Sequence, residues 1–452
     1  MSLPRYEQYK DSGVPWLGEV PTPWEVKRIK DTSYLKGRVG WKGLTSDEYL
    51  EDGYAFLVTG TDFSDRFISW SECHCVEKER FDDDPFIQIT EGDLLITKDG
   101  TIGKLALVKS LTKPACLNSG IFLVRPENSY ITEYLYWVMR SRSFALFCDL
   151  SSFGSTIQHL YQKVFERFSF PIPTIYEQSC IAAFLDRETS KIDDLMAEQH
   201  KLIGLLKEKR QTLISHAVTK GLDPAAPMKD SGVEWLGEVP KHWIVKQVRH
   251  IAEILRGKFT HRPRNDPAYY DGDYPFVQTG DITSAEQYIT TFKQTLNQRG
   301  ADVSKEFPKG TLVMAIAANI GDVAILDFPA YFPDSIVGLV PQLGIDLQFL
   351  FYLMMAMKGA MIQTATISTQ MNLNVDQIAS LIAGCPPTQE QATIVSFLDS
   401  ETTRLDALAA EASLAINLLQ ERRTALISAA VTGKIDVREK TTVHPVPELE
   451  VA

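Results

Sequence analysis

Residues 10–21 read KDSGVPWLGEVP, and residues 229–240 read KDSGVEWLGEVP. Eleven of the twelve positions are identical, two of them glycines and one a tryptophan. A further tryptophan follows in each copy, at Trp24 and Trp243. Chance does not produce this, so the 452-residue chain is written twice. A repeat at half the chain length means two whole domains rather than a solenoid of small units. A chain this long also exceeds what one hydrophobic core usually serves.

Outward from the repeated stretch the echo continues with a drifting offset. Leu35-Lys36-Gly37-Arg38 matches Leu255-Arg256-Gly257-Lys258, and Tyr54, Phe56, Thr59 and Gly60 match Tyr274, Phe276, Thr279 and Gly280. Gly92-Asp93-Leu94-Leu95 matches Gly310-Thr311-Leu312-Val313, and Ile102-Gly103 matches Ile320-Gly321. Pro173-Thr174-Ile175-Tyr176-Glu177-Gln178 returns as Pro386-Pro387-Thr388-Gln389-Glu390-Gln391, and Phe184-Leu185-Asp186 as Phe397-Leu398-Asp399. Each copy therefore has one internal order. A Pro/Gly/Trp lead-in precedes short apolar runs broken by turn residues, such as GDLLIT and GTLVMA, which read as strands. A short helix (YLYWVMRS, FLFYLMMAM) and a long helix begun just after a proline complete it.

The long helices carry heptads. Leu185, Ile192, Gln199, Leu206 and Leu213 fall seven apart in the first, with Leu195 and Leu202 as the expected second seam. Leu398, Leu405, Ala412, Leu419 and Leu426 repeat this in the second, with Leu408 and Ala415 beside them. Rods of about forty residues, roughly 60 Å at 1.5 Å per residue, cannot bury such stripes alone and should pair. If the halves share a pseudo-twofold axis, the second rod returns toward the start of the chain, and the pair is antiparallel. The expected class is α+β: two repeated mixed α/β domains separated by a long antiparallel two-helix coiled coil. The boundaries are 1–175 for domain 1 with its lead-in, 176–221 for the first rod, 222–387 for domain 2, 388–435 for the second rod, and 436–452 for a polar tail.

Composition and missing motifs exclude several classes. Net charge is −12 and the isoelectric point about 5.3, which disfavours a protein that coats nucleic acid without regard to sequence. No run of eighteen apolar residues occurs and the first residues lack an apolar signal core, so the expected location is the cytoplasm, away from membranes. The six cysteines are scattered as reduced thiols would be, and Cys73-His74-Cys75 has no second ligand pair at a zinc spacing. Gly100-Thr101-Ile102-Gly103-Lys104 is too short for a phosphate loop and is followed by Leu105 rather than Ser or Thr. No HExxH, GxSxG or Asn-Pro-Pro-aromatic motif is present, so no catalytic residue and no metal or cofactor of its own is expected.

The lead-in KDSGVPWLGEVP with its following Trp, the two PxxxEQ-type long helices and the half-length repeat together resemble the specificity subunits of type I restriction-modification systems. The resemblance covers the chain up to about Asp436. It implies that each domain is a target-recognition domain reading one half of a bipartite, asymmetric site in double-stranded DNA. It implies that the helices set the spacer and form the docking scaffold for DNA methyltransferase (modification) subunits, which bind S-adenosylmethionine. A restriction/translocase subunit using ATP and magnesium is a further partner in that family. The chain would be non-catalytic by itself, lending specificity to an adenine methyltransferase or endonuclease complex. The competing functions are a free-standing sequence-specific DNA-binding regulator and an enzyme with unfamiliar motifs.

Three groups of residues are candidates for touching DNA. The first is the hairpin at 94–106 and its copy at 312–324: a constant frame around changed tips, with Lys98, Thr101 and Lys104 in one and Asn319 in the other. Two readers of unlike half-sites would show this, as would neutral drift of an exposed loop. The second precedes each long helix: Ser155, Thr156, Gln158 and His159, matched by Thr369, Gln370 and Asn372. Gln and Asn can bond adenine edges bidentately and hydroxyls can meet phosphate or base, although Ser and Thr there could equally cap helices. The third is basic, with Arg256, Lys258, Arg262, Arg264 and Asn265 in domain 2, and Lys36, Arg38 and Lys42 in domain 1. Such a cluster in an acidic chain suits phosphate contact, and a solvated loop is the plainer alternative.

Overall fold

Leu94, Leu95 and Ile96 stand in an unbroken apolar run, and all three are buried. Successive strand residues point to opposite faces, so such a run needs a core on each side. The computed structural model, which describes residues 3–37, 48–99, 101–151, 160–364, 366–367 and 371–440, supplies both. Leu94 and Ile96 face a core shared with helices, and Leu95 faces one enclosed by a second sheet. Leu312 and Met314 on one side, and Val313 on the other, repeat the arrangement in the second copy.

The chain divides into two units, Met1–Gln199 with Leu414–Ala452, and His200–Ser413. In the first, the larger sheet has the order β1 (Ser33–Gly37), β7 (Ile121–Pro126), β4 (Leu94–Thr97), β5 (Leu105–Leu107), extended by Phe67–Ile68 and Phe63–Ser64. The smaller sheet runs β3 (His74–Val76), β2 (Ala55–Val58), β6 (Ala115–Leu117), Gln88–Ile89. Helix α1 (Thr132–Met139) and the 46-residue α2 (Ile175–Lys220) follow. The second unit has the same plan. Its larger sheet is β8 (Ala252–Arg256), β14 (Ile336–Pro341), β11 (Leu312–Ala315), β12 (Val323–Leu326), Tyr288–Ile289. Its smaller sheet is β10 (Gln294–Leu296), β9 (Tyr270–Phe276), β13 (Ala330–Phe332), Lys305–Phe307, and α3 (Leu347–Ala356) and the 44-residue α4 (Thr388–Val431) follow. The written repeat is thus a repeat of fold.

The structure corrects one stretch of the sequence matching by a residue. Thr59 N–H donates to Asp62 Oδ2 at 2.6 Å, and Gln278 N–H donates to Asp281 Oδ2 at 2.9 Å. The strands agree: Leu57 faces His74 across β2 and β3, and Phe276 faces Gln294 across β9 and β10. Thr59 therefore corresponds to Gln278, not to Thr279.

The repeated tryptophans and the Glu-Gln pairs meet in space. Trp24 is wholly buried, and its indole N–H donates to Glu177 Oε1 at 3.2 Å; Trp243 donates to Glu390 Oε1 at 3.0 Å. Glu177 also closes the first turn of α2 with Thr174, each bonding the other's backbone N–H, as in a capping box. The adjacent glutamines tie each long helix to the loop before the short one. Gln178 accepts from Ile131 N–H and donates to Ser129 and Pro173 carbonyls, while Gln391 accepts from Asp346 N–H and donates to Gly344 and Pro386 carbonyls. Gly221 and Gly433, at φ +74° and +71°, follow the helices in the left-handed conformation that ends them.

The two long helices pack against each other. In the first unit Arg423 pairs with Asp193 at 2.9 Å, and Arg187 bonds the carbonyl of Lys440, in the turn beyond the end of α4. In the second unit Arg210 pairs with Asp406 at 3.2 Å. Leu185, Ile192, Leu398, Leu405 and Ala412 are buried, and Leu206, Leu213, Leu419 and Leu426 are half-buried. The second seam differs from expectation. Leu195, Leu202 and Leu408 are 45%, 42% and 40% exposed. Ala415, the fourth expected member, is half-buried, as are Met196, Ile203 and Ala409 four residues on from the first seam, where Ile416 is buried. The helix ends also join the globular cores, through Phe184 and Leu185 in the first unit and through Ile214, Ala217 and Val218 in the second.

Candidate nucleic-acid interface

The hairpin expected to carry a reading tip is built alike in both units. Thr97 N–H bonds the Lys104 carbonyl and Gly103 N–H the Thr97 carbonyl; Ala315 with Asp322 and Gly321 with Ala315 do the same. Thr97 and Lys104 thus close a connection between two antiparallel strands, with no helix to follow it as a phosphate loop requires. On this common frame the side chains diverge. Lys98 is half-buried with its ammonium 5.1 Å from the Phe122 ring, and Thr101 and Lys104 are exposed. Asn319, also exposed, donates to Thr283 Oγ1 at 2.8 Å, and Thr283 donates to Asp322 Oδ2 at 2.7 Å. Asp322 holds the Lys358 ammonium at 2.5 Å and occupies the place of Lys104. The first hairpin thus carries an exposed lysine where the second carries an ion-paired, half-buried aspartate.

The hairpin base and the segment before each long helix, separate in sequence, are neighbours in space. Leu160 N–H donates to the Lys98 carbonyl at 3.0 Å, and Leu373 N–H to the Ile316 carbonyl at 3.0 Å. Asn372, exposed, lies across a β-bridge from Ala317. Ser155, Thr156, Gln158, His159, Thr369 and Gln370 lie outside the described residues, as do Arg38 and Lys42. Lys36, on β1, places its ammonium 5.9 Å from the Tyr34 ring and 5.8 Å from the Phe86 ring.

The basic loop of domain 2 is less free than its sequence implies. Arg262 pairs with Asp334 Oδ2 at 3.2 Å, and Arg264 bonds the other oxygen of the same carboxylate. The nearest acid in sequence is Asp266, which pairs with His261 at 3.1 Å. Arg262 also donates to the His261 carbonyl at 2.8 Å, so much of its hydrogen-bonding capacity serves the loop itself. Arg256 and Lys258 are exposed and form no ion pair with a described residue. Asn265 is exposed and lines, with Arg264, a cleft of about 330 Å³ whose lining includes Phe259, Tyr270, Gln278 and Gln294. Burial pushes the Tyr270 hydroxyl above its ordinary range, and it donates to the Arg264 carbonyl.

Cys73-His74-Cys75 belongs to this surface in a different way from a metal site. Alternation along the strand buries Cys73 and Cys75 and leaves His74 exposed on the other side. Burial pushes the Cys73 thiol up to about 12. Among the described residues no group of three His, Cys, Asp or Glu is placed to hold a metal ion, and no helix is long and apolar enough to cross a membrane.

Residues 21–203 and 240–416, most of the chain and one stretch in each copy, match the family model described as the type I restriction modification DNA specificity domain. The chain belongs to that family. This specificity-domain protein is similar over 437 residues, at 23% identity, to the type I restriction enzyme MjaVIII specificity subunit of Methanocaldococcus jannaschii, covering 93% of this chain and 94% of that one. It is 20% identical over 440 residues to the EcoKI specificity subunit of Escherichia coli, covering 92% and 90%. Two solved structures share the fold. One comes from work on complex assembly and conformational transition of the type I R-M system (TM-score 0.72, 15% identity, 92% of this chain and 99% of that one). The other is the HsdS subunit from Thermoanaerobacter tengcongensis (TM-score 0.53, 15% identity, 92% and 98%).

Proposed function

We propose that this specificity-domain protein is the DNA-reading subunit of a type I restriction-modification complex, with each unit reading one half of a bipartite, asymmetric site. The paired helices set the unread spacer and receive the modification subunits; a restriction/translocase subunit completes the complex. S-adenosylmethionine, and ATP with magnesium, act in those partners, and this chain contributes sequence choice rather than bond-making. One observation carries the reading: two domains share hydrogen-bonded frames down to the hairpin base, yet present unlike side chains at their surfaces, Lys104 against Asp322 above all. Acidity over the whole chain fits a reader whose phosphate grip is local and partly supplied by partners. Co-producing the chain with the modification subunits of its own system and mapping methylated adenines across the host genome tests this. A single motif of two unlike parts around a fixed unread spacer is expected. An undivided motif, or no methylation from an assembled complex, contradicts it.

A further inference from the structure

The smaller sheets of the two units, and the residues just past one of their strands, hold different hydrogen-bonding side chains at the same two positions. Thr59 and Gln278 are equivalent through their backbone bonds to Asp62 and Asp281. His74 and Gln294 are equivalent because they face Leu57 and Phe276, the buried residues two before that turn. In domain 2, Gln278 donates its side-chain amide to Gln294 Oε1, and the Gln294 amino group has no partner among the described residues. Both glutamines are exposed and line the 330 Å³ cleft together with Ser335. The Ser335 carbonyl accepts from Ile316 N–H, so the cleft adjoins the hairpin base. In domain 1 the corresponding bond runs from Lys98 N–H to the Gly120 carbonyl. There the His74 ring lies 5.3 Å from Tyr49, whose hydroxyl accepts from Asn118 at 2.6 Å, and Thr59 Oγ1 contacts Thr61 Oγ1 at 2.6 Å.

Paired carboxamides offer both a donor and an acceptor, which matches the mixed edge of a base pair, as in the bidentate bonding of glutamine to adenine. Gln294 and His74 begin strands β10 and β3, and Gln278 and Thr59 stand just past β9 and β2, each held by its backbone bond to a buried aspartate. These positions fix a side chain more closely than a loop tip does, as discrimination between bases requires. Resting on the DNA-reading function proposed above, we infer that Gln278 and Gln294 read base edges in one half-site, and that Thr59 and His74 read them in the other. The hairpin tips then contact the duplex beside these positions without choosing the base there.

The test uses the full chain assembled with its modification subunits and reads the genome-wide methylation motif. Gln278→Ala and Gln294→Ala should each relax one base position in one half by about 5- to 150-fold, the range a lost bidentate contact gives. Thr59→Ala and His74→Ala should relax a position in the opposite half. The double exchange Gln278→Thr with Gln294→His uses residues that the same frame already holds in domain 1, so it guards against loss of fold; it should change the base accepted in one half. Four alanine variants and an exchange that all keep the wild-type motif overturn the inference alone, as does an even loss of methylation at every site. A wild-type map without a two-part motif overturns the DNA-reading function and the inference with it.

Discussion

Glu177 shows how one side chain can hold a repeat together. It accepts from the Trp24 indole, caps the first turn of α2 with Thr174, and accepts from the Tyr6 hydroxyl at 3.3 Å. Glu177→Ala strands a buried indole N–H and opens the cap, at a cost of about 2–3 kcal/mol. Thermal melting should show the loss as a drop of about 5–10 °C, and Glu177→Gln, which keeps an acceptor, should recover part of it. Equal melting of wild type and Glu177→Ala would mean the bond is idle. Asp334 offers a second test at this scale, because it neutralises Arg262 and Arg264. Asp334→Ala should tighten binding to DNA of any sequence. It should also steepen the salt dependence of binding, by about 0.9 in log–log slope for each additional phosphate that the freed arginines neutralise. Arg264→Ala should do the reverse in a salt titration of binding. The Trp–Glu link is half legible in the sequence: both residue types stand out as repeated, but their meeting joins positions 153 residues apart. Asp334 is not legible there at all, since charge counted along a loop misses an acid 70 residues away.

At the scale of elements, strands and rods follow from pattern, whereas the seam between the rods needs the packing. Residues three and four apart are both neighbours on a helix. Leu195, Leu202 and Leu408 therefore satisfy a heptad as well as Met196, Ile203 and Ile416 do, and the partner helix decides between them. The ion pair from Asp193 to Arg423 and the pair from Arg210 to Asp406 mark the chosen register in their respective units. Ile416, 6% exposed, should cost about 2–4 kcal/mol when cut to Ala, while Leu408→Ala should stay within about 0.5 kcal/mol. Parallel melting curves distinguish this from the leucine-only seam, which predicts the opposite order. The hairpin frame is legible from Gly103 and Gly321, but the reading positions on β3 and β10 are not. In the sequence His74 stands out only as a neighbour of two cysteines, and Gln294 lies in a strand whose polar side carries no motif.

The duplication gives the molecule two similar readers on one chain, and two consequences can be measured on the complex. Seventeen positions separate Asp193 from Arg210, and seventeen separate Asp406 from Arg423. The rods can therefore be lengthened in register only if both are. Four residues added after Lys207 and four after Leu408 would add about 6 Å of rise and a stutter that a coiled coil absorbs. With base pairs about 3.4 Å apart, the unread spacer should grow by one or two base pairs while both half-sites keep their sequences. A methylation map with the original spacer would show that the rods do not set it. The claim that each unit reads its own half is tested most directly by exchanging residues 244–385 for those of a relative with a different motif. This segment carries both partners of the strand pair between Ile244–Gln247 and Ile382–Cys385, so the exchange cuts through no strand pair there. The methylated motif should change in one half only, with the other half and the spacer intact. A change in both halves would contradict the account.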